Sequence, residues 1–368
     1  MPCRHRLMAY GVFCLLACSA LPLTACSQEK PSKRTVQFSD LLTLRREIPL
    51  VTPDSSLEPS GFLFLAPQGS DLVASDGYTR RLLVFDSAGH WKTTWILDSL
   101  KGPQCLGKRL ICVSGHDSQV YTYDPRKNSV YMRTSGGFQR IPLTDWRVDR
   151  WGADERRIVA VGPVFSEEPK ISVRAIEGAE ITSICDITQE LEYPHLYGQS
   201  GTPNAICIKN KDCFYVLEAS SMTILEYSSD GKLLRRSTER PKGFIPPSAD
   251  SSFRNMEDMR RVLGNFTPPL SIGRIGRYLL VFWLAMKEPS IYLEVYDESL
   301  RLRLTRIKAP AEDFDPSAMY TKGNSLFMLR RSASCKLPNY PAEGTKRLNA
   351  SPPVLVEFTF NESKVESP

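Results

Sequence analysis

Histidine is scarce in this chain, four residues among 368, and its cysteines never fall in a C-x-x-C spacing. Those two shortages remove the common zinc ligand sets. Also missing are G-x-S-x-G, H-E-x-x-H, a P-loop and the dinucleotide glycine fingerprint, so no familiar hydrolase, protease or nucleotide-binding signature is present. Charge of one sign is not in great excess either: 47 Lys+Arg against 41 Asp+Glu give +6. So mild a balance points to no nucleic-acid partner. Beyond residue 25 there is no apolar run long enough to span a bilayer. Neither a cofactor nor a metal is expected, and no residue stands out as catalytic.

The one long apolar run lies at the start. Arg4 and Arg6 precede an apolar stretch from Leu7 to Ala25 and a small-residue exit, the order of parts in a signal peptide. Pro22 interrupts the run, which falls short of a comfortable membrane span of about 20 residues. The exit Leu23-Thr24-Ala25-Cys26 resembles the lipobox of bacterial lipoproteins. That likeness implies a lipid on Cys26 and a mature chain beginning there. Leu15-Leu16-Ala17-Cys18 fits the same pattern but leaves too short an apolar stretch, and an ordinary secretory signal is the other reading. Residues 1–25 are thus expected to be removed, and 26–36 to form a flexible polar tether to a membrane. Residues 37–368 remain for the fold. Six cysteines lie there, Cys105, Cys112, Cys185, Cys207, Cys213 and Cys335, and export would permit disulfides. Cys105/Cys112 and Cys207/Cys213 each flank a short turn, a spacing that by itself does not establish bonding geometry.

A repeat occupies the mature part. Six times, a run rich in β-branched and aromatic residues is followed by a polar loop and a second run that ends in an aromatic and a tight turn. The first runs are 71–76, 109–114, 157–162, 212–218, 277–283 and 325–330; their partners are 81–91, 119–130, 171–181, 223–234, 291–302 and 353–365. A further short apolar segment precedes each first run, at 61–66, 103–106, 149–153, 204–208, 271–275 and 318–320. Strand sets of this kind predict an all-β, six-bladed β-propeller. The last blade has too little chain left for an outer strand. Residues 44–51, LRREIPLV, are therefore expected to supply it from the N-terminal side. One helical insertion is predicted at 250–264, where Phe253, Met256, Met259 and Leu263 make an apolar stripe ahead of Gly264.

Ala74-Ser75-Asp76-Gly77, then Arg81 to Asp86 and Gly89, with a weaker echo from Glu218 to Gly231, resemble the repeat of NHL-type and TolB-like six-bladed propellers, especially exported lipoproteins of Bacteroidetes. The resemblance implies the fold and leaves the activity open.

In a propeller the loops between middle strands and between blades leave on one face. Long segments 187–202, 238–269 and 331–351 fall there, which marks that face for function. Candidate ligand-binding residues at its mouth are Asp76, Tyr78, His116, Asp117, Glu218, Trp283, Arg330 and Arg331, with His195 on an aromatic loop. Aromatic rings would stack on a ligand and arginine forks would grip carboxylate or phosphate. Each has a plainer role open to it: loop capping for Asp76, an ion pair for Glu218, interblade filling for Trp283. The expected function is non-catalytic binding of a glycan, peptide or protein partner at the cell envelope, on an outer membrane and facing the periplasm. The alternative is a lactonase- or lyase-like propeller whose central metal is held by Asp76, Asp117 and Glu218.

Overall fold

The computed structural model describes residues 36–53, 63–76, 81–97, 111–114, 119–125, 127–153, 157–168, 170–192, 194, 205–210, 212–218, 220–247, 267, 269–285, 290–310, 314–330 and 352–366. Six four-stranded antiparallel sheets follow one another along the chain. The first blade is β2 (Leu63–Gln68), β3 (Asp71–Asp76), β4 (Arg81–Phe85) and β5 (Trp91–Ile96). The second is β6 (Ile111–Ser114), β7 (Val120–Asp124), β8 (Ser129–Thr134) and β9 (Gly137–Pro142). The third is β10 (Arg150–Ala153), β11 (Ile158–Val164), β12 (Lys170–Glu177) and β13 (Glu180–Asp186). The fourth is β14 (Ala205–Asn210), β15 (Cys213–Leu217), β16 (Ile224–Ser228) and β17 (Leu233–Arg236). The fifth is β18 (Pro269–Ile275), β19 (Tyr278–Ala285), β20 (Ser290–Tyr296) and β21 (Leu302–Lys308). β22 (Phe314–Lys322), β23 (Ser325–Arg330) and β24 (Val354–Phe360) make three strands of the sixth, and β1 (Leu42–Pro49) completes it. The inner strand β22 lies beside β2, so the ring closes into a six-bladed propeller.

Middle strands are buried on both faces because each blade is covered by its two neighbours. Their sequences are therefore nearly continuous apolar runs, as in RLLVF and YLLVFWLA, rather than alternating ones. Each gap between blades holds its own apolar cluster. Leu72, Ala74 and Leu83 meet Phe327, Leu329 and Leu355 between blades six and one, while Tyr215 and Leu217 meet Leu279, Val281 and Trp283 between blades four and five. Outer strands are wet on one side, as in β17, where Leu234, Arg235 and Arg236 are exposed.

β1 carries out the predicted closure two residues earlier than expected. It pairs with β24 from Leu42↔Phe360 to Pro49↔Val354. Glu357 of β24 is 2% exposed and takes Arg45 at 2.8 Å together with Arg46. Leu50 N–H then bonds to Pro353 O and Val51 bridges to His90, tying the closed blade to the first. Two four-residue helices, α1 (Phe38–Leu41) and α2 (Ser363–Glu366), pack beside this seam.

The second blade departs from expectation by one strand. Residues 111–114, expected as a second strand, are the inner one, and 120–124 and 129–134 are the two middle strands. The segment 103–106, expected to be the inner strand, lies outside the described residues, as does the helix expected at 250–264. The hairpin of the fourth blade sets Cys207 opposite Tyr215 and Cys213 opposite Asn210. Cys185 is a free thiol, and burial, aided by Asp186, pushes its pKa up to about 12, so it stays protonated.

Candidate functional site

Strand direction sorts the connections onto two faces. With the four strands of each blade lettered A to D from the innermost outward, the A-to-B and C-to-D turns are short, as at 69–70, 276–277 and 323–324, and share one face. The long connections run from Asp186 to Ala205, Arg236 to Pro269 and Arg330 to Val354, all from strand ends on the other face. Most of the long loops fall outside the described residues. At their roots lie a 3-10 turn at Thr188–Glu190 and the segment 237–247.

Glu218 follows β15 at that loop-bearing face and is fully buried. One carboxylate oxygen accepts the Glu192 backbone N–H at 2.8 Å and the other accepts Ser221 Oγ–H at 2.5 Å. Glu192 in turn accepts Thr223 Oγ1–H and pairs with Arg240. The carboxylate thus welds the B-to-C loop, with Met222 at φ 59°, to the root of the loop arriving from blade three. Each of its oxygens accepts a hydrogen bond from the protein.

Trp283, on β19, is 1% exposed. Its ring lies 5.0 Å from that of Tyr292, and its Nε1–H donates to Glu294 Oε1 at 2.7 Å. The stack continues outward to the Arg306 guanidinium, 5.1 Å from the Tyr292 centroid. Glu294 Oε1 also accepts the Arg306 backbone N–H at 3.0 Å, where β21 bulges and Arg306 takes φ 54°. Burial raises the Glu294 pKa to about 7 against the hydrogen bonds from Thr305, Trp283 and Arg306. Trp283 therefore fills the interblade gap with its ring covered.

Arg330 ends β23, half-exposed, and meets Glu47 of β1 fork to fork at 2.5 and 2.7 Å. This pair holds the Glu47 carboxyl below its ordinary value, first through the hydrogen bond from Arg330. The pair is only half-buried, so solvent screens it, and an incoming carboxylate or phosphate would offer the guanidinium the same two-point geometry.

Glu218, Trp283 and Arg330 thus sit on B-strand ends of the same face but belong to separate side-chain groups. Asp76 ends β3 on that face; its side chain, together with Tyr78, Arg331, His195 and Cys26, lies outside what is described. His116 and Asp117 are likewise outside the described residues. In sequence they lie between β6 and β7. Among the described residues no group of His, Cys, Asp and Glu is arranged to hold a metal.

The buried carboxylates Glu226, Glu294 and Glu357 were not singled out from the sequence. Glu226 pairs with Arg235 at 3.4 Å across the fourth blade, much as Glu357 pairs with Arg46 across the sixth. Their signal was a lone acid inside an apolar strand, in ILEYS, YLEVY and VLVEF.

No protein-family model and no curated protein matches the sequence. Solved structures do. A member of the DUF4221 family from Bacteroides vulgatus ATCC 8482 superposes with TM-score 0.58 at 10% identity, over 87% of this chain and 98% of that one. A presumed exported protein from Bacteroides fragilis NCTC 9343 gives TM-score 0.56 at 10% identity, over 89% and 97%. The likeness is one of fold. A virginiamycin B lyase from Staphylococcus aureus stands further off, at TM-score 0.45 and 12% identity over 86% and 99%. Among the described residues no helix is long and apolar enough to cross a membrane.

Proposed function

We propose that this chain is an envelope lipoprotein, anchored through Cys26, that binds a polar ligand or protein partner on the loop-bearing face of its propeller without catalysing a reaction. The observation that carries this reading is the segregation of connections: long ones leave three blades on one face and short turns close the other. Loops so placed vary freely over a rigid ring, the usual arrangement for recognition. Arg330, whose pair with Glu47 is half-exposed, is a charged group on that face that a carboxylate or phosphate can approach. The resemblance of Leu23 to Cys26 to a lipobox and the exported fold neighbour favour the envelope.

The test joins acyl-chain detection on the Cys26 peptide to a glycan and peptidoglycan-fragment array and a pull-down with the mature domain. A ligand whose affinity falls about tenfold in Arg330→Ala or His195→Ala is expected. A stoichiometric bound metal, with a thermal shift on chelation, would reverse the preference for binding over catalysis.

A further inference from the structure

The direction of β1 gives the molecule an orientation that its lipid would impose. β1 is the outermost strand of blade six, and it starts at the tight-turn face. Leu42 pairs with Phe360, whose N–H bonds to Asn324 O in the A-to-B turn of that blade. Asn361 N–H bonds to Leu41 O at 2.8 Å. α2, which follows, reaches the A-to-B turn of blade five, where Arg277 pairs with Glu366. The far end of β1 arrives at the loop-bearing face, where Leu50 N–H bonds to Pro353 O.

We propose that the propeller stands on its membrane with the tight-turn face toward the bilayer and the loop-bearing face held away from it. This rests on the reading of Cys26 as lipidated. From Cys26 to Val36 the chain has ten peptide steps, a contour of at most ~36 Å. β1 has eight residues and spans ~26 Å at about 3.3 Å per residue. Bringing the loop-bearing face to the lipid would draw the tether back along that wall, stretched to roughly three-quarters of its contour. Extension to that degree costs chain entropy, whereas the tight-turn face is reached with no stretch. Charge does not compete with this geometry, because the turn face carries paired ions of both signs, Arg274–Glu298 and Arg303–Asp297 among them. The strand ends from which the long connections leave then face away from that leaflet.

The full lipidated chain is reconstituted in vesicles bearing an acceptor dye on their headgroups. Donors are placed in turn at Ser299→Cys, in an exposed turn of blade five, and at Glu167→Cys, at the exposed B-to-C connection of blade three; labelled native chain gives the thiol background. Energy transfer from position 299 should exceed that from 167 at least twofold, and twenty residues added to the tether should erase the difference. With acylation of Cys26 confirmed by mass, equal or reversed transfer overturns the orientation alone. Absence of the acyl group overturns the anchoring and the orientation together.

Discussion

At the residue scale, buried glutamates set how the fold answers to pH. Glu294 has a pKa near 7 in the folded chain, against about 4.3 unfolded. Between those values the folded state holds a proton that the unfolded state has lost. Its stabilising share is therefore complete below about pH 4.3 and lost as pH rises through 7, an effect of order 3 kcal/mol. Glu294→Gln keeps an acceptor for the Trp283 indole and cannot ionise. Urea midpoints measured from pH 4 to 8 should fall less steeply for it than for the native chain; parallel profiles would sink the assignment. Glu357 has the opposite sign. Burial raises its pKa, but hydrogen bonds from Arg46, Ser325 and Arg45 more than offset this and leave it lowered. Its contribution is present above the ordinary glutamate pKa and fades as pH drops below it. Glu357→Gln should therefore flatten the acid side of the same curve and leave the neutral side parallel. The sequence made Glu218, Trp283 and Arg330 visible through their strand-end positions. It could not show that each already has a protein partner, since Glu192, Glu294 and Glu47 reach them from other strands or loops.

At the element scale, turns were the most readable feature. Phe85-Asp86-Ser87-Ala88-Gly89 forms the predicted turn: Asp86 Oδ1 accepts the N–H groups of Ala88 and His90 at 2.9 Å, and Gly89 has φ 87°. A Cβ on Gly89 would come within 2.3 Å of Pro49 O, on the closing strand of the neighbouring blade. Gly137 has φ 132° and nothing within 4 Å. Gly89→Ala should cost more than about 2 kcal/mol, joining backbone strain to a clash, and Gly137→Ala about 1 kcal/mol or less. Thermal or urea denaturation checks the order, and equal losses would mean that the seam yields. Blade two was read one strand out of step because its two middle strands, VYTYD and SVYMRT, are separated by a short link, 125–128, and had been taken as one strand with its turn. Periodicity alone cannot separate two neighbouring buried strands from a longer one. Blades four and five were read in register because SSDG and DESL mark where their third strands end. Leu300 takes the left-handed conformation there with φ 60° and sends its side chain into the cluster between blades four and five.

For the whole molecule, the closing strand was legible as a β-type run, 44–51, standing ahead of the first blade, and β1 fills the outer position beside β24. What that run could not show is how much stability rests on the borrowed strand. Phe38, Leu41, Leu42, Ile48 and Leu50 are all buried, and at about 2 kcal/mol each they amount to roughly 10 kcal/mol, as large as the net stability of a typical domain. Every interblade gap is filled from two sides, so a ring opened between blades six and one loses more than a single edge. It also exposes the backbone of β24, a ready template for pairing with other chains. A mature chain beginning at Thr52 is therefore expected to lose its cooperative melt and to associate in gel filtration. A peptide spanning residues 36–51, supplied in excess, should restore both the monomer and the melt by mass action. Were the shortened chain to melt as a monomer at the native temperature, the ring would be held by its blades alone and β1 would be only a cover.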